Sequence, residues 1–353
     1  MKRKLRAGII GCGRIAGLLQ DDPLRKGVVT HIAAYAAFPK TIAVVACVSR
    51  HKEQARSFAQ RFNIKTWYDD HRSMLAKEKL DVVSVCAYTD SRYAMIKDAV
   101  DHGVRGIFCE KPVAASLKEV DRIIALCKKN NVRIIVNHTR RWGHDYRTVK
   151  RLIESKEFGG VRSVTGYFSG AIFHTGTHMF DIMNYFCGRP SAVIGSLAHE
   201  RGTRFDQLAN GKMVFDDFDG HAFIFYPGNV VANVVGIPKH YFIFELDLHL
   251  EKARIRIGNG LFELSTTGPS VRYSGFNELR PSIVTVDTYP LPPLAWAVDD
   301  LVRSLRTRKK NISTAVDARM ALEIAFGIVH SHRQGHKKIS LPLTQRSLRV
   351  RAR

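Results

Sequence analysis

Long apolar runs are missing from this 353-residue chain: no segment approaches the roughly 20 consecutive apolar residues that span a bilayer, so no membrane protein is expected. Cysteine is sparse and unclustered. The six, at positions 12, 47, 86, 109, 127 and 187, show no C-x-x-C spacing, and most lie in apolar runs, so they read as small core residues in a reducing cytoplasm. A signal sequence is not expected either, because the uncharged stretch after the basic start runs only from Ala7 to Gly13 before Arg14 ends it. Acidic residues are the scarcer charge, 32 against 55 basic, for a net +23. That balance favours anionic partners, yet much of the excess is peripheral: four charges in MKRKLR, five in VRSLRTRKK and four in RSLRVRAR. No RNA-binding aromatic signature, zinc-finger spacing or basic zipper accompanies them, and a solvated basic surface is expected in preference to nucleic-acid binding. Repeats and low-complexity segments are also missing.

What is present is the make-up of a folded protein, 45% hydrophobic and 25% charged, with length for two domains. From Leu5 to about Asn137, short β-branched runs alternate with segments of helical period. LRAGII, TIAVVACV, IKTWY, DVVSVCA, GIFCE and RIIVN read as strands separated by helices, which predicts a parallel sheet wound on both faces. Ser116 before LKEVDRIIALCKKN, with Glu119 three residues on, predicts a capping box; Asp70 and Ser91 are further N-cap candidates. After Arg141, HDYRTVKRLIESKEF reads as a helix broken at Gly159-Gly160. The runs VRSVTGYF, SAVIGSLAH, GHAFIFY, NVVANVVGI, HYFIFELDLHL, ARIRIG and LFELS then predict a mostly antiparallel sheet, and WAVDDLVRSLRTR and STAVDARMALEIAFGIVHSHRQG two closing helices. The expected class is α/β: a doubly wound parallel sheet over residues 1–140, and an α+β domain with an open, mostly antiparallel sheet over 141–353 whose last helices pack back toward the first domain.

Gly11-Cys12-Gly13-Arg14-Ile15-Ala16 follows the first strand in the G-x-G-x-x-A form of a dinucleotide-binding turn. Gly11 serves the tight turn, Gly13 lets backbone approach a pyrophosphate, and Ala16 permits close helix–sheet packing. An NAD site usually carries a carboxylate after the second strand; here that strand ends in Ser49-Arg50-His51-Lys52. Ser49 as donor and Arg50 as cation suit a 2′-phosphate, so NADP is the expected cofactor, with NAD the alternative. LLQDDPLRKGVVT reads as a loop inserted into the first helix.

The stretch AIFHTGTHMFDIMNYF sets His174, His178 and Asp181 four and three residues apart, on one helical face. That spacing fits a metal site or proton transfer. A catalytic metal needs three ligands and an open position, and no cysteine or acidic cluster adds to Asp181, so proton transfer and substrate binding are the expected roles and no metal is expected. Thr177 reads as the cap of the helix MFDIMNYF, which would place His178 in its first turn.

GCGRIA at 11–16, CEKPVA at 109–114, VNHTRRW at 136–142 and GTHMFDI at 176–182 together resemble the Gfo/Idh/MocA oxidoreductases, over nearly the whole chain. The resemblance implies an N-terminal Rossmann domain, an open-sheet C-terminal domain, and hydride transfer between a nicotinamide and a sugar or polyol hydroxyl, in a dimer or tetramer. Glu110 and Lys111 match the family's cofactor-side motif, with Lys111 reaching the reacting oxygen; His178 matches the histidine that acts as general base. His174 stands where many relatives have aspartate, which leaves three readings: it binds a sugar hydroxyl, it acts as the base itself, or the activity is altered or lost. Tyr88 and Arg92 stand where proline and histidine are common beside the cofactor. Arg140, Arg141 and His138 follow the sixth strand and either line the cleft or support it. Two other functions remain open: a redox-neutral elimination or glycosidic cleavage through a transient keto sugar, and a non-catalytic nucleotide- or polyanion-binding protein.

Overall fold

The structure is a computed structural model; it describes residues 3–198, 207–209, 212–215, 218–238 and 240–350. The ends of the MKRKLR and RSLRVRAR charge runs and His199 of SAVIGSLAH lie outside the described residues. Two compact units are present, one comprising the chain up to Trp142 with Pro290–Arg319, the other Gly143–Tyr289 with the chain from Met320 on.

In the first unit β1 (Leu5–Ile10), β2 (Ile42–Val48), β3 (Thr66–Tyr68), β4 (Val82–Val85), β5 (Gly106–Cys109) and β6 (Arg133–Val136) form one parallel sheet in the order β3-β2-β1-β4-β5-β6. This is a doubly wound Rossmann sheet. Its strand order reverses between β1 and β4, the place where such sheets take a ligand at the carboxyl ends of their strands. Every residue of β4 and β5 is buried, as expected for strands covered on both faces. The helix Pro293–Thr307 lies against this sheet, and Gly106 lets it approach: a Cβ there would meet Leu305 Cδ1 at 3.0 Å.

The helices of this unit are α1 (His31–Ala36), α2 (Lys52–Arg61), α3 (His71–Glu78), α4 (Arg92–Asp101) and α5 (Leu117–Lys129). Asp70 caps α3 by accepting from the Ser73 N–H at 2.8 Å, and Ser116 caps α5 by accepting from Glu119 N–H at 3.3 Å. Glu119 reaches back one residue further than a capping box predicts, to the Ala115 N–H at 3.2 Å. Ser91 is not a cap: Thr89–Ser91 is a 3-10 turn running straight into α4, and the Ser91 hydroxyl donates backward to Tyr88 O at 2.9 Å. Nor does the glycine turn open an unbroken helix. A single turn after Gly13 leads into the 3-10 turn Leu18–Asp21, and α1 starts only at His31, whose N–H donates to Ile15 O at 3.1 Å while Ile32 N–H donates to Ala16 O at 2.9 Å. The hydrogen-bond ladder thus resumes where it was interrupted, as the inserted loop requires.

The second unit carries a nine-stranded sheet in the order Asn277–Ser282, Leu261–Pro269, Ala253–Gly258, Phe244–Leu250, Val161–Ser169, Val231–Ile237, Gly220–Phe225, Ala192–Leu197 and Ile339–Ser340. All pairings are antiparallel except Val161–Ser169 with Val231–Ile237. Side chains alternate in burial along these strands, so one face makes a core with the helices and the other is open. α6 (His144–Ser155) ends at Lys156, in the left-handed region (φ 56°), ahead of the Gly159-Gly160 break expected from sequence. α7 (Thr177–Cys187) is preceded without interruption by a wide π turn, Ile172–Gly176. Among the described residues no helix is long and apolar enough to cross a membrane.

Candidate active site

Gly11 needs to be glycine. Its φ is +99°, and a Cβ would stand 2.9 Å from the Ala87 nitrogen and the Cys86 carbonyl carbon, because β1 passes the end of β4 at backbone distance. Gly13 differs: nothing lies within 4 Å of where its Cβ would be. Ala16 is fully buried against Ile9, Cys47 and Phe58, the close packing that a small residue allows. Arg14 is exposed and Ile15 half-buried. An open cradle beside Gly13 at the switch point of a doubly wound sheet fits a dinucleotide pyrophosphate.

At the end of β2 the two residues expected to meet a 2′-phosphate separate. Ser49 is buried, and its hydroxyl donates to Gln54 Oε1 at 2.7 Å, while Gln54 Nε2 donates to Cys12 O at 3.2 Å. The Ser49 proton is therefore committed to holding α2 against the glycine turn. Arg50 is exposed, its guanidinium carbon 5.8 Å from the ring centroid of Tyr88, itself 56% exposed. A planar cation over an exposed ring presents both charge and a stacking surface.

At the end of β5 the chain turns through Glu110-Lys111-Pro112, with a cis bond between Lys111 and Pro112. Glu110, 6% exposed, uses its carboxylate on three donors: His31 Nε2 at 2.9 Å and Asn137 Nδ2 at 2.6 Å on Oε1, and the Lys111 backbone N–H at 3.3 Å on Oε2. Burial alone would raise its pKa, but the His31 hydrogen bond and charge, Asn137 and Arg92 outweigh it and hold the carboxyl down at about 2. His31 is fully buried; its Nδ1 meets Ser84 Oγ at 2.9 Å, which meets Tyr35 Oη at 2.9 Å, and its ring lies 4.1 Å from that of Phe108. Arg92 is a buried clamp. Its Nε donates to Ala87 O at 2.8 Å and its Nη1 to the carbonyls of Glu110, at 2.9 Å, and Pro112. Lys111 itself is half-buried.

Arg141 is also engaged inside this unit: Nη1 donates to Ile312 O at 3.1 Å and pairs with Asp317 at 3.2 Å, which ties Pro290–Arg319 to the end of β6. His138 is buried at the end of β6, and Arg140 is half-buried.

In the second unit the helical run from Ile172 carries His174 exposed, His178 half-buried and Asp181 buried at 1% exposure. His174 Nδ1 lies 3.3 Å from Thr175 Oγ1. The field of Asp181 is one cause of the raised pKa of buried Tyr226, after burial itself and Cys187. Thr177 is not the cap expected. It has helical dihedrals, and its hydroxyl donates back to Phe173 O at 3.2 Å and His174 O at 3.0 Å, because the π turn starts the run earlier. His178 thus sits in the second turn, where the positive helix end acts on it less. Among the described residues no three His, Cys, Asp or Glu side chains are grouped to hold a metal ion.

Residues 5–138 match the family model described as an oxidoreductase family with an NAD-binding Rossmann fold. The matched residues resemble the Gfo/Idh/MocA oxidoreductases. The chain is 28% identical over 159 residues to the uncharacterized oxidoreductase YrbE of Bacillus subtilis, covering 45% of this chain and 42% of that protein. It is 26% identical over 198 residues to myo-inositol 2-dehydrogenase of Thermotoga maritima, covering 52% and 55%. These aligned regions thus span about half the length of either relative. Levoglucosan dehydrogenase in complex with NADH and levoglucosan superposes with a TM-score of 0.80 at 17% identity, over 97% of this chain and all of that one, which shows a shared fold.

The sequence did not single out His31 or Asn137. A signal existed: a carboxylate at the end of a buried strand requires donors, and a histidine opening the resumed first helix is one.

Proposed function

We propose that this chain is an NADP-dependent oxidoreductase that transfers hydride between the nicotinamide and a hydroxyl or carbonyl group of a sugar, sugar derivative or polyol. The observation carrying the reading is the Glu110-Lys111-Pro112 turn, clamped by Arg92 and Asn137 at the carboxyl end of β5, in the same sheet whose glycine turn leaves an open cradle at Gly13. The relatives named myo-inositol 2-dehydrogenase and levoglucosan dehydrogenase support the substrate class. NADP rests on Arg50 and on the lack of a carboxylate after β2, against a structural neighbour that binds NADH.

Gly11 and Gly13 would hold the pyrophosphate, and Arg50 with Tyr88 the adenosine end. The bound nicotinamide supplies the hydride acceptor or donor. Lys111 polarises the reacting oxygen by donating from its ammonium; His178 takes the hydroxyl proton, with His174 the alternative base; His138, Arg141 and Asp181 are support or substrate contacts. We place the enzyme in the cytoplasm as a homodimer or homotetramer; the open sheet face, on which Tyr167 and Phe223 are exposed, supports the assembly.

The test is a melting-temperature comparison with NADP and NAD, then a sugar and polyol screen at the nicotinamide absorbance band, run on parent and Lys111→Ala. NADP should stabilise more than NAD, and Lys111→Ala should keep that shift while losing on the order of 10²-fold in kcat. A variant that turns over like the parent, or a parent that neither nucleotide stabilises, overturns the reading.

A further inference from the structure

The carboxylate of Glu110 is out of water, an expensive place for a charge unless every lone pair is used. An apolar side chain would fill the same space. What it could not do is accept the Lys111 N–H. The carboxylate oxygens only accept, so the proton on His31 Nε2 points at Oε1, and the hydroxyl chain through Ser84 to Tyr35 satisfies the other ring nitrogen in either protonation state of the imidazole. The carbonyls of Glu110 and Pro112 are meanwhile tied to one guanidinium nitrogen of Arg92. Backbone groups on both sides of Lys111, and its own N–H, are fixed, and its side chain extends from a rigid root.

We propose that His31 is a positioning residue for Lys111. By orienting the Glu110 carboxylate, it pins the Lys111 amide and so sets the point from which the ammonium is delivered. This rests on the role given to Lys111 above. The device spans three elements: the resumed α1 supplies His31, β4 supplies Ser84 and the end of β5 supplies Glu110, so a change in the inserted loop that turned α1 would act on the turn at Lys111.

Two readouts separate this from a purely structural role. The first is amide hydrogen exchange at Lys111, compared with Phe108 and Cys109 in β5; the second is protection of the Lys111 ammonium from trinitrobenzenesulfonate by NADPH, read by peptide mass spectrometry. In His31→Ala, Lys111 exchange should rise by about tenfold or more with the β5 amides unchanged, and NADPH protection should fall from about tenfold to about twofold. His31→Gln, which keeps a donor toward Glu110, should recover most of both. Unchanged exchange in a folded His31→Ala overturns the proposal. If NADPH fails to protect Lys111 in the parent, the assignment of Lys111 to the nicotinamide fails, and the exchange arm still decides the positioning. Should His31→Ala not fold, Ser84→Ala, which removes only the hydroxyl holding Nδ1, must raise Lys111 exchange in the same direction, and no change there overturns the proposal equally.

Discussion

The backbone N–H of His31 donates to the carbonyl of Ile15 at 3.1 Å, although the two stand sixteen positions apart where an α-helix makes that bond over four. Twelve residues are therefore looped out of the first helix. A variant lacking residues 18–29 should fold with a continuous helix from Arg14, gain helical ellipticity, and melt within about 5 °C of the parent, since loop closure costs little per residue. Removing two residues fewer should turn His31 by about 200° away from Glu110 and lower stability clearly. Equal melting of the two deletions would count against the looped-out helix.

The two glycines of the turn separate stability from binding. Gly11→Ala meets a positive φ and backbone at 2.9 Å, so it should lose about 1–3 kcal/mol in urea unfolding, along with nucleotide affinity. Gly13→Ala enters open space and should stay within about 0.5 kcal/mol of the parent while weakening NADP by about tenfold or more in titration calorimetry. Normal NADP affinity in Gly13→Ala would show that the cradle is not the phosphate site.

Arg50 is exposed over Tyr88, whereas Ser49 is buried and committed to Gln54, so the proposed NADP preference is expected to rest on the cation. Arg50→Asp should shift the ratio of NADP to NAD affinity by about 10²-fold toward NAD, as loss of a charge pair and gain of a ribose acceptor together predict. Ser49→Ala should shift it by less than about threefold. The Kd ratios of the two variants check both.

Glu110 titrates at about 2 in the fold against an ordinary 4.5, so its contribution is complete above the ordinary value and is lost as pH falls toward about 2. At neutral pH it is on the order of 3 kcal/mol. The urea-stability gap between the parent and Glu110→Gln should be largest near neutrality and close progressively below about pH 4.5. A gap independent of pH would show that the carboxylate is not what the site relies on.

The sequence by itself determined the frame. Six short apolar runs, the caps at Asp70 and Ser116 and the alternation of the later strands are local signals, set by backbone sterics and side-chain period, and each became the element expected. Tertiary structure decided which side chains are buried and partnered and which are left exposed. His31 meets Glu110 across 79 residues and Ser84 across 53, and Arg92 reaches Pro112 across 20. A hydrogen bond depends on where two groups end up, so no local pattern marks it. For the same reason Ser49, a phosphate donor by position, is taken by Gln54, and of the three residues spaced along one helical face His174 is exposed while Asp181 is buried. Burial and partnership are set by the packing of distant segments, and they separate a side chain locked inside the fold, such as His31, from one left half-buried, such as Lys111.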